Sequence, residues 1–380
     1  MKFLPLVWRS LMRRKLRTLF TALSIVVAFV LFGALMALKA AFSLGVDLAG
    51  QDRLVMIQKV SFIQPLPRSY QGRIAASPGV ASVTHQSWFG GIYQDPKNFF
   101  AQFAIVPDDW LRMYPEFVVP DDQWEAFKAD RQGCVVGRKL AERFGWKVGD
   151  RIPMQGASFM GGGNWDFNVR GIYHGTRRGD DEMQLWMRHD YLVEKGPEFW
   201  RGIVGWYVVR ITNPDSAPAV AKLIDEEFAN SSSETRTQTE SAFAASMVKQ
   251  MGNIEFLILA IGSVVFFTLL LVTGNTMAIS VRERTNELAV LKAIGYSDTF
   301  VLSIVLAESL LISAIGGVVG LWLASMLVKL DLTQGLILMY LPPIAFVLGA
   351  LIALATGFLA GVLPALSAMR LNVVSALRRI

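Results

Sequence analysis

Four long stretches of this chain carry almost no charge, and their placement restricts the fold more than any other feature. Thr18 to Leu38 and Phe256 to Val281 contain no Asp, Glu, Lys or Arg; Phe300 to Val328 is interrupted only by Glu308, and Leu332 to Met369 is uncharged throughout. A bilayer core about 30 Å thick is crossed by roughly 20 apolar helical residues, so each stretch is long enough to span it. The residues from about Phe42 to Asn253 are too polar for lipid and must fold in water. The expected fold class is therefore an α-helical membrane protein with four transmembrane helices and an extracytoplasmic mixed α+β domain inserted between helices 1 and 2.

Orientation follows from the basic residues beside the spans. Lys2, Arg9, Arg13, Arg14, Lys15 and Arg17 precede the first span with no acid among them, and Arg370, Arg378 and Arg379 follow the last. Positive flanks stay in the cytoplasm, which places both termini inside and the large domain outside. The boundaries read as a cytoplasmic amphipathic helix over 1–17, spans over 18–41, 254–281, 299–328 and 344–369, the outer domain over 42–253, a cytoplasmic segment over 282–298, an outer loop over 329–343 and a tail over 370–380. The net charge of +6 is thus a consequence of topology, not a nucleic-acid surface. A cleaved signal peptide is disfavoured, because its apolar region is only 7 to 15 residues long and the run here is longer.

The outer domain shows short strands at Val80 to His85, Val135 and Val136, Ile152 to Met154, Phe167 to Ile172 and Trp206 to Ile211, with helices over Gly137 to Phe144 and Ala217 to Phe228. The glycine-rich Gly156 to Asn164 reads as a flexible loop. The residues after Phe228 read as a polar Ser/Thr-rich connection, leading into a long helix continuous with the second span.

Catalytic signatures are missing. There is no G-x-x-x-x-G-K-[ST] phosphate loop, the three histidines His85, His174 and His189 lack zinc-site spacing, and Cys134 stands alone, so it cannot form an internal disulfide. No catalytic or metal-binding residue is assigned. The unusual element is the short segment between the second and third spans. Its Leu288, Val290, Leu291 and Ile294, with Gly295 as a stop, describe an amphipathic helix at the membrane surface, carrying Glu283 and Glu287 four apart.

At these residues the chain resembles a known family. Gly274 to Gly320, with N-T-M-A-I-S-V-R-E-R-T-N-E-L-A-V-L-K-A-I-G and A-E-S-L-L-I-S-A-I-G-G-V-V-G, is similar to the permease domain of the MacB and FtsX superfamily of ABC transporters. So is the closing G-V-L-P-A-L-S-A-M-R-L-N-V-V-S-A-L-R, and V-V-G-R-K-L-A-E-R-F-G-W-K-V-G-D-R-I with F-N-V-R-G-I-Y resembles its periplasmic core domain. The resemblance implies a multi-pass inner-membrane permease subunit without its own ATPase site. ATP and Mg would bind two copies of a separate ABC ATPase subunit, since no ATPase domain precedes the first span. It implies a second permease copy or a sister permease as partner and, in the export branch, a periplasmic membrane-fusion protein and an outer-membrane channel.

Carried onto this sequence, the resemblance makes Arg282 to Gly295 the coupling helix that sits in a groove of the ATPase. Arg282, Glu283, Arg284, Glu287 and Lys292 supply its charges, Leu288 and Leu291 its apolar face, and Gly295 the turn into the third span. Trp8, Arg9, Arg13 and Arg14 would meet the lipid surface. Glu308 is an intramembrane acid expected to have a structural partner. Gly316, Gly317 and Gly320 permit close helix approach, either within the chain or at a dimer seam. The implied activity is ATP-driven export of periplasmic cargo or extraction of lipids or lipoproteins; the alternative is a mechanotransmission relay that controls a cell-wall hydrolase, as in the FtsX branch.

Overall fold

The computed structural model describes residues 14–177, 179–250, 253–330 and 339–371. They divide into two compact units, one holding the four apolar helices and one an α/β domain. In chain order the helices are α1 (Lys15–Leu48), α2 (Tyr70–Ala75), α3 (Pro107–Met113), α4 (Asp121–Ala129), α5 (Arg138–Phe144), α6 (His189–Lys195), α7 (Ala217–Glu227), α8 (Glu240–Gln250), α9 (Ile254–Glu283), α10 (Thr285–Ala293), α11 (Asp298–Lys329) and α12 (Pro343–Met369). The strands are β1 (Arg53–Gln58), β2 (Leu66–Pro67), β3 (Val80–Trp88), β4 (Ala101–Ile105), β5 (Phe117–Val118), β6 (Gly133–Gly137), β7 (Arg151–Gln155), β8 (Asn164–Gly175), β9 (Gln184–Arg188), β10 (Ile203–Val204), β11 (Trp206–Ile211) and β12 (Thr235–Thr239).

One large sheet organises the α/β unit, in the order β12-β1-β11-β3-β4-β9-β6-β8-β5 with β7 also paired to β8. Its pairs are antiparallel except β4 with β9 and β6 with β8. Side chains alternate between faces along a strand, and here both faces are covered. Leu54 and Met56 of β1 and Tyr207 and Val209 of β11 enter one core, under Ile74 of α2 and Val220 and Ile224 of α7. Val55, Ile57 and Val208 enter another, with Trp110 of α3 and Phe127 of α4. A third core gathers Phe89, Val136, Leu140, Phe167 and Leu185.

Two expectations for this unit change. The polar stretch after Phe228 contains strand β12, which pairs with β1. Asp225 of α7 accepts hydrogen bonds from the Thr235 and Thr237 hydroxyls and from the Thr237 backbone N–H, so a polar sequence is held as a strand by side-chain capping of its edge. The glycine-rich loop is an ordered turn: Ser158–Met160 forms a 3-10 turn with Met160 buried, Gly161, Gly162 and Gly163 all have positive φ, and the Gly156 N–H closes onto the Gly163 carbonyl.

Arg53, at the start of β1, joins the points where the chain enters and leaves this unit. Its Nε and the Gly50 N–H both donate to Glu240 Oε2, at 2.7 Å each, while Nη1 and Nη2 reach the Glu116 carboxylate at 3.0 and 2.5 Å. Glu240 opens α8, which was expected to run unbroken into the second span. Instead the chain is not helical at Asn253, where a new helix starts and the Asn253 side chain caps the Phe256 N–H at 2.9 Å.

The membrane unit contains four helices long and apolar enough to cross a bilayer, Lys15–Ser43, Glu255–Glu283, Asp298–Lys329 and Pro343–Met369. Small residues let them approach. A Cβ at Gly316 would lie 2.5 Å from Ile25 Cγ2, one at Gly320 2.6 Å from Phe29 Cβ, and one at Gly317 2.9 Å from Ala353 Cβ. The glycine stripe therefore packs inside the chain, on α1 and α12. Ser309 donates to the Gly357 carbonyl at 2.6 Å, which satisfies a hydroxyl that lipid would leave bare.

The sheet also brings together two histidines far apart in sequence. His85 of β3 and His189 at the start of α6 are buried, with ring centroids 4.6 Å apart. Burial, with the neighbouring Arg68 charge, lowers their pKa values to about 3 and about 4. The unfolded chain, with ordinary histidines near 6.5, then binds more protons below that pH, so stability must fall as pH falls. Each imidazole costs about 1.4 kcal/mol per pH unit in this window, or up to about 4 kcal/mol for the pair between pH 6.5 and 5. Amide hydrogen exchange of β3 and β11 in the full-length protein should show that loss, and His189→Gln should roughly halve the slope.

Candidate functional site

The segment between the second and third spans is built as a short helix held on both sides. Helix α9 runs through Arg282 and Glu283 and breaks at Arg284, where the Thr285 hydroxyl bonds back to the Arg282 carbonyl at 2.8 Å. Such back-bonding competes with helix continuation. Helix α10 therefore begins at Thr285, and Arg282 and Glu283 lie in the last turn of α9. At the far end Gly295 has φ 103°, its N–H meets the Lys292 carbonyl, and the Tyr296 N–H meets the Leu291 carbonyl. This pair of bonds is the glycine-based helix stop. Ser297 then caps the Phe300 N–H of α11, so Gly295 does form the turn into the third span.

Of the five charges expected on a partner-facing surface, Arg284 and Lys292 turn inward, while Arg282, Glu283 and Glu287 are exposed. Arg284 Nη1 donates to Glu308 Oε1 at 2.6 Å, and the Glu308 side chain is only 3% exposed. Arg284 Nε lies 3.5 Å from Glu287 Oε2. Lys292 is also buried: its ammonium donates to the Met369 and Leu371 carbonyls at 2.6 and 3.0 Å, at the end of α12, and pairs with Asp298 at 2.7 Å. Glu283 binds Arg14 at 2.7 Å and also pairs with Arg17, both near the start of α1. Arg14, read as a lipid-facing residue, is thus an ion-pair partner, while Trp8, Arg9 and Arg13 lie outside the described residues.

Leu288 and Ala289 are buried against Met277, Val301, Val305, Ala365 and Ala368, and Leu291 packs on the same cluster. α10 and its turn leave Asn286, Glu287, Val290, Ala293, Ile294, Gly295 and Tyr296 exposed, with Ile294 at 71%. Val290 and Ile294 are four apart and so share a helix face; that spacing was available in the sequence, but it was assigned to the same face as Leu288 and Leu291. Tyr296 stacks on Phe300 with ring centroids 4.5 Å apart. Val290, Ile294 and Tyr296 thus form a small exposed apolar patch beside the Glu287 carboxylate.

Four apolar spans, an α/β domain inserted after the first, and a short clamped helix between the second and third define a membrane permease. Residues 258–373 match the FtsX-like permease C-terminal family and residues 18–227 the MacB-like periplasmic core domain. The chain belongs to the MacB and FtsX superfamily of ABC transporter permeases, a multi-pass inner-membrane protein with a large periplasmic domain. That family implies an ATPase partner.

Relatives include an uncharacterized ABC transporter permease of Methanocaldococcus jannaschii, 23% identical over 79% of this chain and 76% of that protein. The macrolide export ATP-binding/permease protein MacB of Escherichia coli is 38% identical over 28% of this chain and 16% of that protein, so only a small part of its length is matched. The periplasmic region of MacB from Actinobacillus actinomycetemcomitans is 12% identical over 52% of this chain and 94% of that chain, with a TM-score of 0.36.

The Lys292 contacts give a direct test. Lys292→Met removes the donor to two carbonyls and the partner of Asp298 while keeping the aliphatic stem. It should cost about 1–3 kcal/mol, the penalty for unsatisfied buried groups, and raise hydrogen exchange selectively in Ala368 to Leu371.

Proposed function

We propose that this chain is the permease subunit of an ABC transporter that converts ATP hydrolysis by a separate ATPase into movement of its periplasmic domain. The ATPase, as a dimer binding ATP and Mg, docks on the patch formed by Glu287, Val290, Ile294 and Tyr296. The observation that carries this reading is the way α10 is held. Glu283 fixes the end of α9 to α1, Arg284 fixes the start of α10 to α11, and Lys292 fixes its end to α12. A displacement of the patch is thereby delivered to the span helices and not absorbed locally.

The work done by that movement is the export of periplasmic cargo or the extraction of lipids or lipoproteins, with a second permease copy or sister permease completing the complex. A periplasmic fusion protein and an outer-membrane channel would complete an export assembly. The size of the periplasmic domain, a nine-strand sheet path with three apolar cores, supports transport over a simple relay to a cell-wall hydrolase.

The test uses the chain reconstituted with its ATPase. An apolar anchor at an interface centre is worth about 2 kcal/mol or more, so Ile294→Asp should weaken ATPase retention by about thirtyfold and abolish permease-dependent stimulation of ATP hydrolysis. Glu287→Arg should reduce stimulation with the protein still folded and inserted. Unchanged assembly and stimulation in both variants would remove α10 as the docking element.

A further inference from the structure

The periplasmic domain contains a second candidate site, away from the coupling helix. β4 and β9 are neighbouring parallel strands, in register from Ala101 with Gln184 to Ile105 with Arg188. Both chains turn into helices at the same level, at Pro107 and His189. A cavity of about 510 Å³ lies beyond the carboxyl ends of these two strands, within the size range of small-molecule sites.

Four arginines line that cavity, Arg68, Arg131, Arg188 and Arg201, together with the acids Asp108, Asp190 and Glu194. Three are neutralised by neighbouring carboxylates: Arg131 by Glu194, Arg188 by Asp190 and Arg201 by Glu198. Arg68 is exposed and has no ion-pair partner among the described residues. His189 also lines the cavity, although its residue is only 4% exposed, and His85 packs directly behind it at 1%. The Nε2 atoms of both rings are buried without a hydrogen-bond partner. An unsatisfied ring nitrogen on His189, a residue that lines the cavity, needs an explanation, and a group bound beside Arg68 that draws the ring toward it supplies one.

We propose that this crevice binds a small ligand through a phosphate- or sulfate-type oxyanion, held by Arg68 over the His85–His189 pair. His85 Nδ1 lies 3.2 Å from Gln71 Oε1, which places its proton on that nitrogen and leaves Nε2 an acceptor. An incoming oxyanion needs donors, so it draws a proton onto the pair. The groups that face the pair are Arg68, which opposes protonation, Asp190, which favours it, and the Tyr207 ring of β11, 6.1 Å from His85. An anion paired with Arg68 offsets the opposing charge, so anion and proton bind together. The cavity is larger than a bare oxyanion, so the ligand carries a further group, as in a phosphate ester.

Sulfate is the probe, because it stays dianionic across the range tested. Titrated calorimetrically into the full-length protein in phosphatidylcholine nanodiscs at constant ionic strength, it should bind saturably. Affinity should tighten by about tenfold or more between pH 7.5 and 5.5, toward the roughly hundredfold limit for one full proton taken up with the anion over two pH units. Arg68→Gln, at an exposed position, should weaken binding at least about tenfold at both pH values. His189→Gln should flatten the pH dependence of binding, whatever it does to the affinity at pH 7.5. Tighter competition by glycerol 3-phosphate than by orthophosphate identifies an ester ligand, and equal competition identifies the free oxyanion; either supports the site. Absence of saturable binding at both pH values, or unchanged binding by Arg68→Gln, overturns it, and a full pH dependence in His189→Gln removes the histidines from the proposal.

Discussion

The arrangement of the membrane unit depends on one buried ion pair, Arg284 with Glu308. A carboxylate within a span is costly unless it is paired, and Glu308 sits inside α11 with Ser309 and Ser313 as neighbouring small polar residues. Its partner comes from the break between α9 and α10, so satisfying the charge requires the chain to fold back at that point. The position of α10 is then a consequence of the electrostatics of α11. Leu288 and Ala289 are drawn into the core beneath the pair, and Val290 and Ile294 are left outside. A buried salt bridge is weak evidence for added stability; its value here is that it fixes one register of α10 against α11.

The periplasmic domain solves a related problem with Arg53. The chain enters next to Gly50 and leaves through Glu240, and the same carboxylate oxygen accepts from both the Gly50 N–H and Arg53. Glu116, on the far side of the guanidinium, brings in the segment between α3 and β5. A planar guanidinium presents donors in fixed directions, so one residue fixes three segments at once. The two units thus share a device: a single arginine at a chain junction, with carboxylates supplied from segments distant in sequence.

Much of this was legible in the sequence, because the signals were local. The spans declared themselves by length and absence of charge, Gly295 by its place at the end of an amphipathic run, and Trp206 to Ile211 by a run of β-branched and aromatic residues. What was hidden depended on partners far along the chain. Thr235 to Thr239 carries no apolar pattern and becomes a strand because Asp225 and β1 supply its bonds. Arg284 and Lys292 read as surface charges because nothing within a few residues reveals Glu308 or the Met369 carbonyl. His85 and His189 lacked metal-site spacing, and only the sheet order places them side by side. The boundary between 253 and 254 was legible in the sequence, but the helix interruption at Asn253, capped by its own side chain, was not.

The central claim is that Arg284 and Glu308 act as one unit that seats α10, and a double-mutant cycle measures it most directly. Removing one partner of a buried pair leaves an uncompensated charge and costs about 3–5 kcal/mol, while replacing both by apolar residues of similar size is far less costly. Unfolding free energies of Arg284→Met, Glu308→Met and the double variant in the same detergent should therefore be strongly non-additive, with an interaction energy of about 2–3 kcal/mol. Additivity within about 0.5 kcal/mol, the behaviour of independent sites, would contradict the account.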